Sequence, residues 1–237
     1  MTQYADLVGE VKSECPGAPD PEIERKIRDA AIELCRESKV LQLDLTAISL
    51  LADIALYPLN PPAGRSIVQV MSGQIQDYDP LNQISADSLD LWWKRPMDAP
   101  RWFVDCCGSC SSDSSRAGDW RQITQDPPTA FYIDRQNTQY RVRLVGIPTA
   151  AIADALVMKV ALMPSRDSTE VDDWLVERYF DTLSNGAKGR LMRMPKKQWS
   201  DPSTATYYLN LFEVNISEAR REGLRDFTRD DQSVEHV

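Results

Sequence analysis

Histidine is nearly absent from this 237-residue sequence, and its scarcity narrows the chemistry that the chain can perform. The single histidine, His236, is next to the last residue and lies in a charged segment. A serine or cysteine nucleophile normally needs a base within hydrogen-bond reach, most often histidine. A phosphate-binding loop is missing too, because Gly186 and Gly189 fall in a helical pattern without P-loop spacing. The sequence therefore predicts no catalytic residues, no cofactor and no enzymatic activity.

Long apolar runs are missing as well. The two most apolar stretches, Thr46–Leu59 and Ala150–Met163, are too short to span a bilayer and contain charged residues. The first residues lack the basic start and apolar core of a signal peptide. The five cysteines are an odd number without a secretory context, which indicates reduced thiols in a cytosolic setting. We therefore expect a protein without membrane contact.

The sequence also lacks an excess of basic residues. The net charge is −9 and the sequence pI is about 4.7. This argues against a protein that holds nucleic acid mainly through phosphates. One local basic cluster remains, formed by Arg190, Arg193, Lys196 and Lys197. It is either a partner-binding patch or a solvated helix end, where the helix dipole favours cations.

Both ends of the chain show the helical spacing of apolar residues. Thr2–Val11 forms a short candidate helix, and Pro21–Ser38 a longer one that Asp20 is expected to cap. Val171–Met194 and Ser203–Arg221 follow near the other end, and Asp201 holds the same capping position as Asp20. Steps of three and four predict a buried stripe on each long helix: Ile23, Ile27, Ala30, Ala31, Leu34 and Cys35; Val171, Trp174, Leu175, Tyr179, Thr182, Leu183, Gly186 and Ala187; and Ala205, Tyr208, Leu209, Phe212, Ile216 and Ala219.

The middle of the chain has a sequence pattern typical of β-strands. Short apolar or alternating runs, separated by Pro, Gly, Asn and Asp, indicate about seven strands without intervening helices. Their ranges are Leu41–Leu50, Ser66–Ile75, Ser88–Arg95, Arg101–Cys106, Ala130–Asp134, Gln139–Ile147 and Ala155–Met163, with a hairpin turn at Asp134–Thr138. Such spacing favours an antiparallel sandwich or barrel.

The predicted fold class is therefore α+β, with a β domain inserted into a helical one. Residues 1–39 and 165–222 form a helical bundle, because packing the two ends together is the simplest way to bury their apolar stripes. Residues 40–164 form the inserted domain, whose two ends should lie close together. Residues 223–237 lose the periodicity and form a tail that is flexible alone.

A cysteine cluster is the sharpest local motif. Cys106, Cys107 and Cys110 could bind zinc or exchange electrons. A structural zinc site needs four ligands, however, and no second cysteine pair or nearby histidine exists in the sequence. The alternative is a serine-rich surface loop with reduced thiols. We predict no metal site and keep these three residues as the only metal candidates.

Several residues are predicted to contact partner proteins. Trp92 and Trp93 are adjacent, so in a strand one of them must point outward, and we select Trp93. The C-terminal tail combines isolated apolar anchors with arginines, which is typical of a segment that orders on a partner. The complete predicted interface consists of Trp93, Arg190, Arg193, Arg221, Leu224, Arg225, Phe227 and Arg229.

Two segments resemble the head-to-tail adaptor proteins of tailed bacteriophages, also called neck or head-completion proteins. Near the N-terminus, the resemblance lies in Cys15-Pro16 followed by the helix from Ile27 to Arg36. Near the C-terminus it lies in a helical hairpin, with matching positions at Gly186, Ala187, Leu191, Pro195, Trp199, Ala205 and Tyr208. The resemblance covers both ends of the chain and leaves the middle open.

This resemblance implies a structural virion protein. Its subunits would form a ring, commonly dodecameric, between the portal and the downstream neck or tail proteins. The helical part would hold neighbouring subunits and the portal, and the C-terminal tail would reach toward the portal. The β domain would meet the next neck or tail component. DNA would pass through the lumen without sequence-specific binding, which suits an acidic chain. The protein would assemble in the host cytoplasm and reside in the neck of the virion.

Two alternatives remain at this point. The first is a non-viral ligand-binding module whose β domain displays Trp92 or Trp93. The second is a zinc or thiol enzyme centred on Cys106–Cys110.

Overall fold

The computed structural model describes residues 1–76, 80–85, 124, 127–136 and 139–230, without the side chains of 136 and 225–230. These residues divide into two compact units. We call the first the helical unit; it takes the described residues of Met1–Gln42, Pro61–Gln69 and Ala161–Val237. We call the second the strand unit; it takes those of Leu43–Asn60 and Val70–Val160.

The helices occupy the two ends of the described chain. They are α1 (Val8–Glu14), α2 (Asp20–Ser38), α3 (Asp173–Met192) and α4 (Pro202–Asp230). The predicted helix over Thr2–Val11 is instead a short strand followed by a 3-10 turn (Tyr4–Leu7) and then α1. The four apolar residues expected on one side of that segment are nevertheless buried: Tyr4, Leu7, Val8 and Val11.

Ten strands are described. They are β1 (Thr2–Gln3), β2 (Gln42–Asp44), β3 (Ile48–Leu50), β4 (Leu56–Pro58), β5 (Arg65–Ile75), β6 (Asn82–Gln83), β7 (Ala130–Gln136), β8 (Gln139–Val145), β9 (Ile152–Pro164) and β10 (Glu170–Val171). β1 pairs with β10 in a two-stranded sheet. A second sheet has the order β2–β9–β3, with β5 also on β9, and a third has the order β4–β8–β7–β6.

Most of the predicted strands within the described residues are confirmed. The predicted hairpin is present, because β7 and β8 pair antiparallel from Ala130↔Val145 to Gln136↔Gln139. Leu41–Leu50 is two short strands rather than one, and the sequence pattern missed β4, β6 and β10. The sequence predicted antiparallel pairing throughout. This is wrong for the third sheet, because β6 and β7 pair in parallel. The strands predicted at Ser88–Arg95 and Arg101–Cys106 lie outside the described residues.

The strand unit has its own apolar core. Its most deeply buried side chains include Leu50, Ile75, Phe131, Leu144 and Leu156. These residues come from sheets two and three, so both sheets contribute to the interior of the unit. Burial of such side chains is the main favourable free energy for a unit built from short strands.

The N- and C-terminal helices pack together, as the sequence predicted. The expected stripe of α2 is completely covered, since Ile23, Ile27, Ala30, Leu34 and Cys35 are at most 1% exposed. At the ends of the predicted insert, the Leu162 N–H donates to the Leu41 carbonyl over 2.8 Å. Those two chain segments therefore lie side by side, as expected. The result is a mixed α+β structure.

The predicted burial of one stripe residue of α3 is wrong. Trp174 is 45% exposed, whereas Leu175, the next residue, is fully buried. At 100° per residue, Trp174 is about 140° around the helix from Tyr179, near the outer edge of the stripe. Its ring contacts Tyr179 edge-to-face, with ring centroids 5.9 Å apart.

The end of α4 also differs from the sequence pattern. The helix continues to Asp230, beyond the predicted end at Arg221. Gly223 is buried within the helix, and a Cβ there would lie 3.3 Å from the Ser38 carbonyl oxygen. Tertiary packing therefore places a glycine in the helix where a larger residue would be crowded. That residues 223–237 are flexible in isolation stays a prediction.

The starts of α2 and α4 differ although both carry Asp-Pro. Asp201 Oδ1 accepts hydrogen bonds from the backbone N–H groups of Ser203 (3.1 Å) and Thr204 (3.3 Å), as expected of a capping residue. Asp20 is itself the first helical residue and makes no cap hydrogen bond. It accepts instead from Lys12 over 2.6 Å. The predicted capping role is therefore confirmed for Asp201 and wrong for Asp20.

This difference yields a matched test. We expect Asp201→Ala to lower the thermal unfolding midpoint clearly more than Asp20→Ala, because only Asp201 satisfies free helical N–H groups. Asp20→Ala removes one exposed ion pair, which contributes little. Differential scanning calorimetry of the two variants measures both effects. Equal shifts would contradict the capping role of Asp201.

Close helix approach centres on Gly186. A Cβ at this position would lie 2.8 Å from the Phe212 ring of α4 and 2.9 Å from the Ala30 Cβ of α2. A Cβ at Gly189 would lie 2.8 Å from Leu209. The two glycines are therefore packing positions, and this agrees with the absence of P-loop spacing in the sequence.

We expect Gly186→Ala to destabilise the protein by about 1–2 kcal/mol, because the added methyl group overpacks the junction of three helices. The matched control is Gly9→Ala in α1, where a Cβ would meet nothing within 4 Å. That control should be neutral or stabilise by up to about 1 kcal/mol, since alanine favours helix. Urea denaturation gives both free energies of unfolding. A stabilised Gly186→Ala variant would contradict the tight packing.

Candidate assembly surface

The helical unit is held together by buried and half-buried charges around α3. Lys188 has a side chain only 5% exposed, and its Nζ donates to Glu14 over 2.8 Å and to Glu10 over 3.3 Å. The Tyr208 hydroxyl of α4 also donates to Glu14. Glu14 thus links α1 to both α3 and α4, and Lys188 remains paired although it is buried.

These contacts change the ionisation of the cluster. Burial alone lowers the pKa of Lys188, but the hydrogen bonds that it donates to Glu14 and Glu10 outweigh this effect, so the pKa is raised. The hydrogen bond from Lys188, followed by that from Tyr208, lowers the pKa of Glu14. Both groups are therefore held in their charged forms near neutral pH.

A second set of contacts surrounds Arg190, one of the predicted interface residues. Its guanidinium donates to Glu33 of α2 over 2.6 Å and to the Gly186 carbonyl over 2.7 Å. It also lies 4.7 Å from the centroid of the Phe212 ring of α4. Arg190 thus connects α2, α3 and α4 within one chain, and its role toward a partner stays a prediction.

A third set of contacts fixes the second half of α4. Glu222 accepts from the Tyr179 hydroxyl over 2.7 Å, at a residue where α3 departs from helical geometry. It also pairs with Arg178 at 3.2 Å. Arg220 donates to the Glu37 carbonyl over 2.9 Å, at the end of α2. These contacts hold α4 against α2 and α3 up to the residues just before Gly223.

The other predicted interface residues fall into two groups. Arg193, at the end of α3, and Arg221 and Leu224, on α4, are exposed, with Leu224 at 58%. Arg225, Phe227 and Arg229 lie on α4 by their backbone, while their side chains are outside the described part of the chain. Trp93, Cys106, Cys107 and Cys110 also lie outside the described residues. Arg193 lies at the loop end of the hairpin, where the Asp201 N–H donates to the Met192 carbonyl, whereas Arg221 and Leu224 lie about 30 Å farther along α4. The structure therefore brings Arg221 and Leu224 together but not Arg193.

Sequence reasoning missed the outer face of α4. Tyr207 is 60% exposed and Val214 is 55% exposed, and Leu211 between them is half-buried. Their spacing of four and three residues places them on the same side of the helix, away from the buried Phe212 stripe. The sequence did carry a signal for this face, namely a second apolar stripe on a helix that already had one. We call Tyr207, Leu211 and Val214 the α4 outer face.

The described residues include no group of three or more His, Cys, Asp or Glu side chains placed to hold a metal ion. Cys15 and Cys35 are free and buried. Burial raises the pKa of Cys15 to about 11 and that of Cys35 to about 12. Neutral thiols of this kind are poor nucleophiles, so both act as small apolar core residues. Among the described helices, none is long and apolar enough to cross a membrane.

Comparison with known protein families identifies the class of the chain. The family model of the SU10 adaptor protein matches residues 2–234. Because the match covers nearly the whole sequence, the protein belongs to this family of phage head-tail adaptors. A search of curated proteins found no match. Family membership implies a structural, non-enzymatic protein that binds neighbouring virion proteins.

The Glu14 contacts predict a pH effect on stability. A carboxylate with a lowered pKa contributes stability above its ordinary pKa and loses it as the pH falls through its value in the folded protein. We expect Glu14→Gln to reduce the free energy of unfolding by up to about 1 kcal/mol at pH 7, since Glu14 is partly exposed. The difference from the native protein should shrink below about pH 4.

Urea denaturation at several pH values measures this effect. Glu218→Gln is the matched control, because Glu218 is an exposed carboxylate of α4 for which the described residues show no ion pair. The control should leave the stability nearly unchanged at every pH. A Glu14→Gln difference that persists unchanged at pH 3 would contradict an ionic role.

Proposed function

We propose that the protein forms a ring between the portal and the downstream neck or tail proteins of a tailed-phage virion. The observation that carries this proposal is the family match over residues 2–234. DNA passes through the lumen without sequence-specific binding, and the ring is dodecameric. The protein assembles in the host cytoplasm and resides in the neck of the mature virion, where it serves genome ejection.

The charge of the chain supports the proposed channel. A net charge of −9 gives little general attraction for phosphates, so DNA could slide past without being held. The acidic character would also help the protein to remain soluble before assembly.

The helical unit suits the portal-facing side. Its helices are fixed against one another by buried contacts at Gly186, Lys188 and Arg190, so it can act as a rigid platform. Arg193, Arg221 and Leu224 are exposed on this platform. Arg221 and Leu224, together with Arg225, Phe227 and Arg229, form the proposed portal contact, and Arg193, at the other end of the hairpin, is proposed as a separate partner contact. The inserted β domain, which we propose to be sandwich-like or barrel-like, faces the next neck or tail component and includes Trp93.

The test is reconstitution with the portal protein of the same phage. Electron microscopy of the mixture should show a ring of adaptor subunits on one face of the portal, and native mass spectrometry should give the subunit number. Phe227→Asp and Arg221→Glu should weaken the complex about tenfold or more, as expected for contacts near the centre of an interface. Arg25→Glu, which changes an exposed arginine in the first half of α2, away from the packing of Ser38 against Gly223, is the charge-matched control.

A portal that binds no adaptor at any ratio would contradict the proposal. Free adaptor monomers alone would not, because a ring can require its template. A complex in which Arg25→Glu is as damaging as Arg221→Glu would contradict the assigned surface but not the ring.

A further inference from the structure

The first half of α3 presents an exposed acidic face. Trp174, Glu177 and Asp181 are exposed and lie within about 60° of one another around the helix. We call these three residues the α3 acidic face. The neighbouring cation, Arg178, is engaged by Glu222 of α4 at 3.2 Å. Within the described part of the chain, the two carboxylates of the face therefore have no ion pair.

The other charges around this face leave it negative. Asp173, at the start of α3, is occupied by the Thr2 hydroxyl and the Met1 amine. Glu218 of α4 is exposed and lies one turn before Glu222, on the side of α4 that bonds to α3. It adds a further negative charge beside the α3 acidic face, so a partner that binds there must bring cations.

The loop between α3 and α4 carries the opposite charge. Arg193, Lys196 and Lys197 are exposed, and the described residues provide no ion pair for any of them. We call these three residues the basic loop. The next carboxylate along the chain, Asp201, is engaged in capping α4. The basic loop is therefore a local positive surface on a chain whose net charge is −9.

The helix dipole does not account for this distribution of charge, because its effect falls off within the first and last turn of a helix. Glu177 and Asp181 lie in the second and third turns of α3, and Lys196 and Lys197 lie beyond its end at Met192. The two charged surfaces are about 20 Å apart along α3, well beyond the screening length of about 8 Å at physiological salt. They therefore do not neutralise each other within one chain.

We propose that the basic loop of each copy docks on the α3 acidic face of the next copy. Copies with a net charge of −9 repel one another unless a positive surface of one meets a negative surface of its neighbour. The contact joins two different surfaces, so it can repeat from copy to copy around a ring. Trp174 supplies an aromatic anchor, a residue type enriched at interfaces. The contact rests on the proposed ring, in which it gives Arg193 a partner.

A charge swap tests the contact. The adaptor is titrated onto the portal protein of the same phage, and electron microscopy measures the fraction of portals that carry a ring. Lys196→Glu with Lys197→Glu should raise the concentration needed for half-occupancy about tenfold or more, because like charges then meet. Glu177→Lys with Asp181→Lys should do the same. All four substitutions in one chain should restore ring formation, because the opposite charges meet again.

The matched control is Asp44→Lys with Glu213→Lys, which reverses two exposed carboxylates away from the α3 acidic face. Added to the loop variant, this pair gives the same net charge as the swap but should not restore the ring. Circular dichroism checks that every variant is folded. Native protein that forms no ring would overturn the ring and the contact together. Rings that tolerate both reversals, or that the control pair restores as well as the swap, would overturn the contact alone.

Cross-linking of native rings tests the same contact directly. A carbodiimide joins an amine to a carboxylate only when the two groups touch. Rings assembled from a mixture of ¹⁴N- and ¹⁵N-labelled chains should give peptides that link Lys196 or Lys197 of one label to Glu177 or Asp181 of the other. Free monomers should not, since the two surfaces of one chain are too far apart. Rings in which these lysines link only to other carboxylates would overturn the assigned contact and leave the ring in place.

Discussion

The close approach of α2, α3 and α4 around Gly186 is the constraint on which the helical unit depends. A side chain there would collide with Phe212 and Ala30, so only glycine allows the three helices to meet. Because the helices are this close, Arg190 reaches both Glu33 and the Phe212 ring. Lys188, two residues farther along α3, stays charged while buried because Glu14 and Glu10 of α1 are within reach.

The inner contacts of the hairpin determine which surfaces are left for partners. Arg190, Arg178 and Arg220 are engaged with Glu33, Glu222 and Glu37 of the same chain. The exposed side of α4 instead carries apolar residues and an arginine at its far end. A helix that is apolar on its inner face and partly apolar on its outer face is typical of proteins that assemble, because solvent-facing positions gain nothing from apolar side chains until they are covered.

Contacts within one chain also make the helical unit rigid, because they fix its helices to one another. A rigid unit can enter an assembly without refolding, so binding costs it little conformational entropy.

The periodicity of apolar residues was sufficient to predict the long helices, their inner stripes and the packing of the two chain ends. Residue spacing alone determines which side of a helix is apolar and must be buried. The Asp201 cap and the β7–β8 hairpin could also be predicted from the sequence, since both depend on residues that are neighbours in the chain. Only the tertiary structure decided that Asp20 binds Lys12 instead of capping α2, that Trp174 is exposed, and that α4 continues past Gly223. It also decided that Arg190 is occupied within the chain while Tyr207 and Val214 are not covered, because these outcomes depend on contacts between residues far apart in sequence.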